Sequence, residues 1–123
     1  MRVLIADDDQ DLCDLITIAV EKAGYSVVAA VSNGADAWHV LHESDEVDLA
    51  VLDISMPELT GLELTEKIRA DPELRELSIL IITANVQPST AEAVHLAGAN
   101  GLITKPFVVM DLIAFVRDVA DRL

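Results

Sequence analysis

Apolar residues in this chain come in two textures. The first is a set of short unbroken runs: "RVLIA" (2–6), "SVVAAV" (26–31), "LAVLD" (49–53), "ILIIT" (79–83) and "GLIT" (101–104). They are rich in Val, Ile and Leu and do not alternate with polar residues. That is the pattern of strands covered on both faces. The second texture lies between them and has helical spacing. From Gln10 to Ala23, the residues Leu12, Leu15, Ile16, Ala19 and Ala23 form one apolar stripe, and Gly24 reads as its stop. Cys13 falls off that stripe. Asp9 reads as the cap of this helix. "GADAWHVLHES" (34–44) carries Ala37 and Leu41 four apart, and "GLELTEKIRAD" (61–71) ends before Pro72. "STAEAVHLAG" (89–98) stops at Gly98, and "VVMDLIAFVRDVADRL" (108–123) sets Leu112, Phe115, Val116 and Val119 on one side. Strand and helix therefore alternate through the whole chain. This predicts an α/β fold with a parallel sheet, right-handed crossovers and helices on both faces.

Sheets of this kind bind ligands beyond the carboxyl ends of their strands, near the point where strand order reverses. The residues that end the strands are therefore the informative ones. The first strand ends in Asp7 and Asp8, the third in Asp53, the fourth in Thr83 and the fifth in Lys105. The second ends in Ser32 and Asn33, which read as turn and cap residues.

Composition narrows the setting. The chain has 123 residues and a hydrophobic fraction of 52%, enough for one domain, residues 1–123, with a core that needs no disulfides. Acidic residues number 22 against 8 basic, a net charge of −14. Such a surface repels phosphate backbones and argues against direct nucleic-acid binding. Cys13 is the single cysteine, which excludes an intramolecular disulfide and fits a reducing compartment. No apolar run reaches membrane-spanning length, and "MRVLIA" is too short for a signal-peptide core. A cytoplasmic location is expected.

Three carboxylates converging on one rim repel one another, and their pKa values should rise unless the charge is offset. A divalent cation offsets it. Oxygen-only ligands without His or Cys favour a hard cation, Mg²⁺. Lys105 adds another positive charge, which leaves the site suited to a phosphoryl group. The chemistry that follows is in-line transfer to an aspartate nucleophile. Asp53 would attack phosphorus, with Lys105 and the Thr83 hydroxyl binding the remaining oxygens. A carboxylate is already ionised at neutral pH and needs no general base.

The segments "ADDD" (6–9), "LDISMPELTG" (52–61), "ITA" (82–84) and "TKPF" (104–107) resemble the response-regulator receiver domains of two-component signalling, over essentially the whole chain. The resemblance implies a flavodoxin-like doubly wound (βα)5 fold with strand order 2-1-3-4-5. It implies that Asp7 and Asp8 hold Mg²⁺ with Asp53 and the backbone carbonyl of Ser55, and that Asp53 is the phosphorylated residue. Thr83 matches the switch hydroxyl and Lys105 the phosphate-binding lysine, with a cis peptide before Pro106. Gly61 matches the family glycine after the phosphorylation loop, and Ala84 the small residue that leaves room for the phosphoryl group. The implied partners are a histidine kinase or histidine phosphotransfer protein and an output protein or effector domain that the sequence does not name. One position departs from the pattern. Many relatives carry Tyr or Phe three residues before the lysine, where this chain has Leu102. Switching is therefore expected to rest on Thr83 and the loop from Ala84 to Ser89, with Leu102 on the surface between the fourth and fifth helices.

Two other functions are weaker readings. An aspartyl-phosphate phosphohydrolase needs a second acid two residues after its nucleophile, and Ser55 stands there instead. A receiver-like binding module without phosphorylation would lack Asp53 or Lys105, and both are present. A stand-alone regulator and a receiver excised from a longer regulator or hybrid kinase both stay open. His39, His42 and His95 read as solvated helix residues, Trp38 as packing on the second helix, and Met56 and Met110 as gap-fillers.

Overall fold

The computed structural model describes residues 1–44, 46–84 and 87–123. Five strands alternate with five helices: β1 (Arg2–Ala6), α1 (Gln10–Lys22), β2 (Ser26–Val31), α2 (Gly34–Glu43), β3 (Leu49–Asp53), α3 (Gly61–Ala70), β4 (Ser78–Thr83), α4 (Pro88–Ala97), β5 (Gly101–Thr104) and α5 (Val109–Asp121). All strand pairs are parallel, in the order β2-β1-β3-β4-β5. The order reverses between β1 and β3, so Asp7 and Asp53 flank the reversal.

Alternate strand residues feed two separate cores, because successive side chains point to opposite faces. Leu4, Ala6, Leu52, Ile79 and Ile81 pack with Ala37 and Leu41 of α2, Leu64 and Ile68 of α3, and Val94 of α4. Val3, Ile5, Val51, Leu80 and Ile82 pack with Ile16 and Val20 of α1 and Leu112, Val116 and Val119 of α5. Every residue of β3 is buried, as its central place requires. Truncating a filled site such as Leu64, 0% exposed, to Ala would cost about 2–5 kcal/mol.

Helix ends follow local chemistry. Asp9 caps α1 by accepting from the Leu12 N–H, and Asn33 caps α2 by accepting from that of Asp36. Thr60 and Glu63 form a reciprocal capping box on α3. Gly24, at φ 97°, takes the left-handed conformation that ends α1.

Two sequence expectations need correction. Cys13 does not lie off the buried face of α1: it is 2% exposed, while Leu15 is 44% and Ile18 51% exposed. The inward face is Cys13, Ile16, Ala19 and Val20. Met110 fills no gap; it stands out on α5 at 67% exposure, whereas Met56 is buried. His42 is exposed on α2, as expected, and is also held by Asp71 across to α3.

One side chain ties distant segments together. Arg69, near the end of α3, donates to the carbonyls of Gly98, Arg75 and Leu77 at 2.8, 3.0 and 2.6 Å and to Asn100 Oδ1 at 3.0 Å. Asn100 Oδ1 also accepts from the Ile79 N–H. The end of α4 and the start of β4 thus share one cation.

Candidate functional site

Each site residue leaves the end of a strand. Asp7 follows β1, and its N–H continues the ladder by donating to the Val31 carbonyl at 3.0 Å. Its carboxylate accepts from the Asp9 N–H through Oδ1 at 2.8 Å and from Lys105 Nζ through Oδ2 at 3.0 Å. The side chain is almost fully buried, while Asp8 beside it is exposed. Below them Cys13 Sγ donates to the Asp7 carbonyl at 3.2 Å. Burial first, then the Asp7 charge, pushes the Cys13 thiol up to about 11. It is therefore a neutral donor bracing the loop.

Asp53 ends β3 and is 5% exposed. Its Oδ2 lies 3.4 Å from Lys105 Nζ, and its Oδ1 accepts from the Ser55 N–H at 3.3 Å. The chain then turns through Glu58, at φ 69°, and brings α3 back against the strand end. Gly61 makes that return possible. A Cβ there would sit 2.4 Å from the Asp53 carbonyl oxygen and 3.1 Å from Ile54 Cα. The Gly61 N–H donates to the Ile54 carbonyl at 3.1 Å and holds the approach.

Lys105 follows β5, and its peptide bond to Pro106 is cis, as expected. Its N–H donates to the Thr83 carbonyl at 2.7 Å. Thr83 ends β4, is buried, and lines a cavity of about 250 Å³ with Ile54, Ser55, Leu62, Ser89, Thr90 and Ala93. Ala84 is exposed; Asn85 and Val86, in the loop expected to move, lie outside the described residues. Leu102 is half-buried on β5 and packs against the core shared with α4, so it is less of a surface residue than expected.

The electrostatics follow from this crowding. One carboxylate oxygen from each of Asp7, Asp8 and Asp53 lies within 4.8 Å of the others. Burial first, then the Asp7 charge, raises the Asp53 pKa, while Lys105 and the Ser55 N–H oppose the rise. Burial works against the Lys105 ammonium, but its hydrogen bond to Asp7 and the charge of Asp53 outweigh that and raise its pKa. Three carboxylates against one ammonium leave an excess of negative charge. The donors are all oxygens, two buried and one open to solvent. That set fits a small hard cation keeping part of its water shell, as Mg²⁺ does.

Asp7, Asp8, Asp53 and Lys105 thus come together as the sequence predicted, with Thr83 one strand away and Ser55 in the loop after Asp53. Cys13 was missed as a support of the Asp7 loop. The high burial frequency of free cysteine was the available signal.

A model of the response regulator receiver domain matches residues 3–117. A chemotaxis protein, CheY1, of Helicobacter pylori is 32% identical over 107 residues, 87% of this chain and 86% of that protein. The CAI-1 autoinducer sensor kinase/phosphatase CqsS of Vibrio cholerae is 36% identical over 106 residues, 85% of this chain and 15% of that protein. The solved signal receiver domain of a signal transduction histidine kinase from Syntrophus aciditrophicus has a TM-score of 0.91 at 26% identity, covering 99% of this chain and 91% of that one.

Proposed function

This chain belongs to the response regulator receiver domain family and is a phosphorylation-dependent switch of two-component signalling; from that premise we propose that Asp53 is its phosphoacceptor. The observation that carries this reading is Asp53, 5% exposed at the end of the central strand, with the Lys105 ammonium 3.4 Å away. An Asp53 carboxylate oxygen attacks phosphorus. The bond from phosphorus to the donor, a histidine nitrogen or an acyl oxygen, breaks, and the donor leaves with the electron pair. Lys105 neutralises a phosphoryl oxygen as it arrives, and the Thr83 hydroxyl donates to another once the group is in place. Asp7 positions Lys105 through their 3.0 Å ion pair. Asp7, Asp8 and Asp53, with the Ser55 carbonyl, would hold Mg²⁺, which supplies charge neutralisation for the phosphoryl oxygens when bound.

The chain acts on itself alone, promoting its own phosphorylation and dephosphorylation. Its donor is a histidine kinase or histidine phosphotransfer protein, and its output is a protein or effector domain that reads the changed surface. Residues 1–123 work as one receiver domain. The acidic surface supports protein partners over direct nucleic-acid contact. Among the described residues no helix is long and apolar enough to cross a membrane; family membership and the free Cys13 support a cytoplasmic setting.

The test is intact mass after incubation with Mg²⁺ and acetyl phosphate. One added phosphoryl group is expected, absent from Asp53→Asn and absent when a chelator removes the metal. Stoichiometric phosphate on Asp53→Asn would show that another residue is the acceptor.

A further inference from the structure

His42 sits in the last turn of α2 with an oxygen before each ring nitrogen. Its Nδ1 lies 2.8 Å from the Trp38 carbonyl oxygen, and its Nε2 lies 3.1 Å from Asp71 Oδ2. A neutral imidazole has one N–H. Whichever nitrogen holds it, the other turns a lone pair toward an acceptor. Only the imidazolium can donate to both oxygens. The Asp71 carboxylate does not depend on His42 for its place: the backbone N–H of Asp71 donates to the Ile68 carbonyl at the end of α3, and its Oδ1 accepts from the Glu73 N–H at 2.9 Å. The imidazole also meets the Trp38 indole edge-on, with centroids 4.3 Å apart, and Lys67 of α3 stands 5.0 Å from the indole centre.

We infer that His42, Trp38 and Asp71 form a proton-operated clasp between α2 and α3, closed while the imidazole is charged and released when it loses its proton. Charges around the ring are accounted for on both helices. On the α3 side Asp71 and Glu73 favour the imidazolium, and Lys67, a like charge, stands over the Trp38 ring. On α2, His39 and Glu43 pair with each other at 2.9 Å. The balance raises the His42 pKa, through the Trp38 carbonyl first and Asp71 after it. The sign follows: the clasp is complete below the ordinary histidine pKa of about 6.5 and is lost as pH rises through the higher folded value. The transition lies above that ordinary value, and histidine is the side-chain type whose ordinary titration comes closest to it.

The measurement is a pH titration of the intact chain, following the His42 ring protons by NMR and Trp38 emission in parallel. Trp38 is the single tryptophan, so emission is assigned without ambiguity. Both signals should follow one curve, and His42→Gln should abolish the emission change while His39→Gln leaves it. Asp71→Asn keeps an oxygen in place and removes the charge. It should lower the His42 midpoint by about 0.2–0.7 pH units, the scale of an exposed ion pair. An unmoved midpoint in Asp71→Asn, or an emission change that survives His42→Gln, overturns the clasp.

Discussion

Adding one methyl group at Gly61 tests how tightly α3 is built onto the strand that ends in Asp53. The Cβ of Gly61→Ala would lie 2.4 Å from the Asp53 carbonyl oxygen and 3.0 Å from its carbon. Relief requires about 1 Å of movement. Both partners are backbone, so no side chain can swing aside. Overpacking of this kind costs about 1–3 kcal/mol, and losing the Gly61–Ile54 hydrogen bond costs about 1 kcal/mol more. Alanine recovers about 1 kcal/mol through its better helix propensity. The net expectation is a loss of roughly 1–3 kcal/mol. At a urea slope of about 2 kcal/mol/M, the unfolding midpoint falls by roughly 0.5–1.5 M. Because the strained atoms belong to Asp53 itself, the rate of phosphorylation by acetyl phosphate should also fall, by up to roughly 100-fold for a 1 Å misplacement. Gly24→Ala is the control. Its φ of 97° imposes backbone strain, but nothing lies within 4 Å of the added carbon. It should lose about 1–2 kcal/mol and phosphorylate at the wild-type rate. If Gly61→Ala is as stable as the wild type, or more so, and is phosphorylated normally, the close approach of α3 does not position Asp53.

Three further expectations follow from the site. Without metal, Asp53→Asn should raise the melting temperature at pH 7, because the buried carboxyl's raised pKa makes its ionised form unfavourable; the gain should vanish in acid, where the wild type is protonated. Mg²⁺ at one hundred times its dissociation constant should stabilise the wild type by about 2.7 kcal/mol, read as a rise in melting temperature, and Asp8→Asn should remove most of that response. Thr83→Ala should accept phosphate yet lose most of the change in partner affinity on beryllofluoride addition, since a charge-assisted hydrogen bond is worth about 1.5–3 kcal/mol. Leu102→Ala should instead weaken partner binding about equally in both states, and the reverse pattern would make residue 102 the switch.

The strands were legible because continuous apolar runs of four to six residues bounded by polar punctuation leave few alternatives. The site was legible for a related reason. In a parallel sheet the strand ends share one rim, so Asp7, Asp8, Asp53, Thr83 and Lys105 could be placed together without knowing any contact. The inward face of α1 was legible only in part: Ile16 and Ala19 were placed on it, Cys13 and Val20 were not. Apolar residues surround that helix, with Leu15 and Ile18 on the outer arc and Ile16 and Val20 on the inner. Periodicity could not choose between the arcs. Tertiary contact chose: Cys13, Ile16 and Val20 pack with Val3, Ile5 and Val51 of the sheet, and Cys13 also donates to the Asp7 carbonyl. Arg69 and His42 were hidden for another reason: the partners that tie them to other elements, Gly98 and Asn100 for Arg69 and Asp71 for His42, lie 29 to 31 positions away in the chain. No local pattern encodes a partner at that range.

The grip of Arg69 on Gly98 gives α4 the mechanics of a cantilever. Its far end is clamped, by the guanidinium on the Gly98 carbonyl and by the Asn100 N–H on the Ile79 carbonyl at 2.8 Å. Along its length it sinks a single side chain, Val94, into the core. Its near end, at Ser89 and Thr90, overhangs the cavity that Thr83 lines. A beam fixed at one end deflects most at the other. A displacement beside Thr83 is therefore expected to tilt α4 about its Gly98 end, moving Ser89 and Thr90 more than His95, which amide-exchange rates along the helix would read.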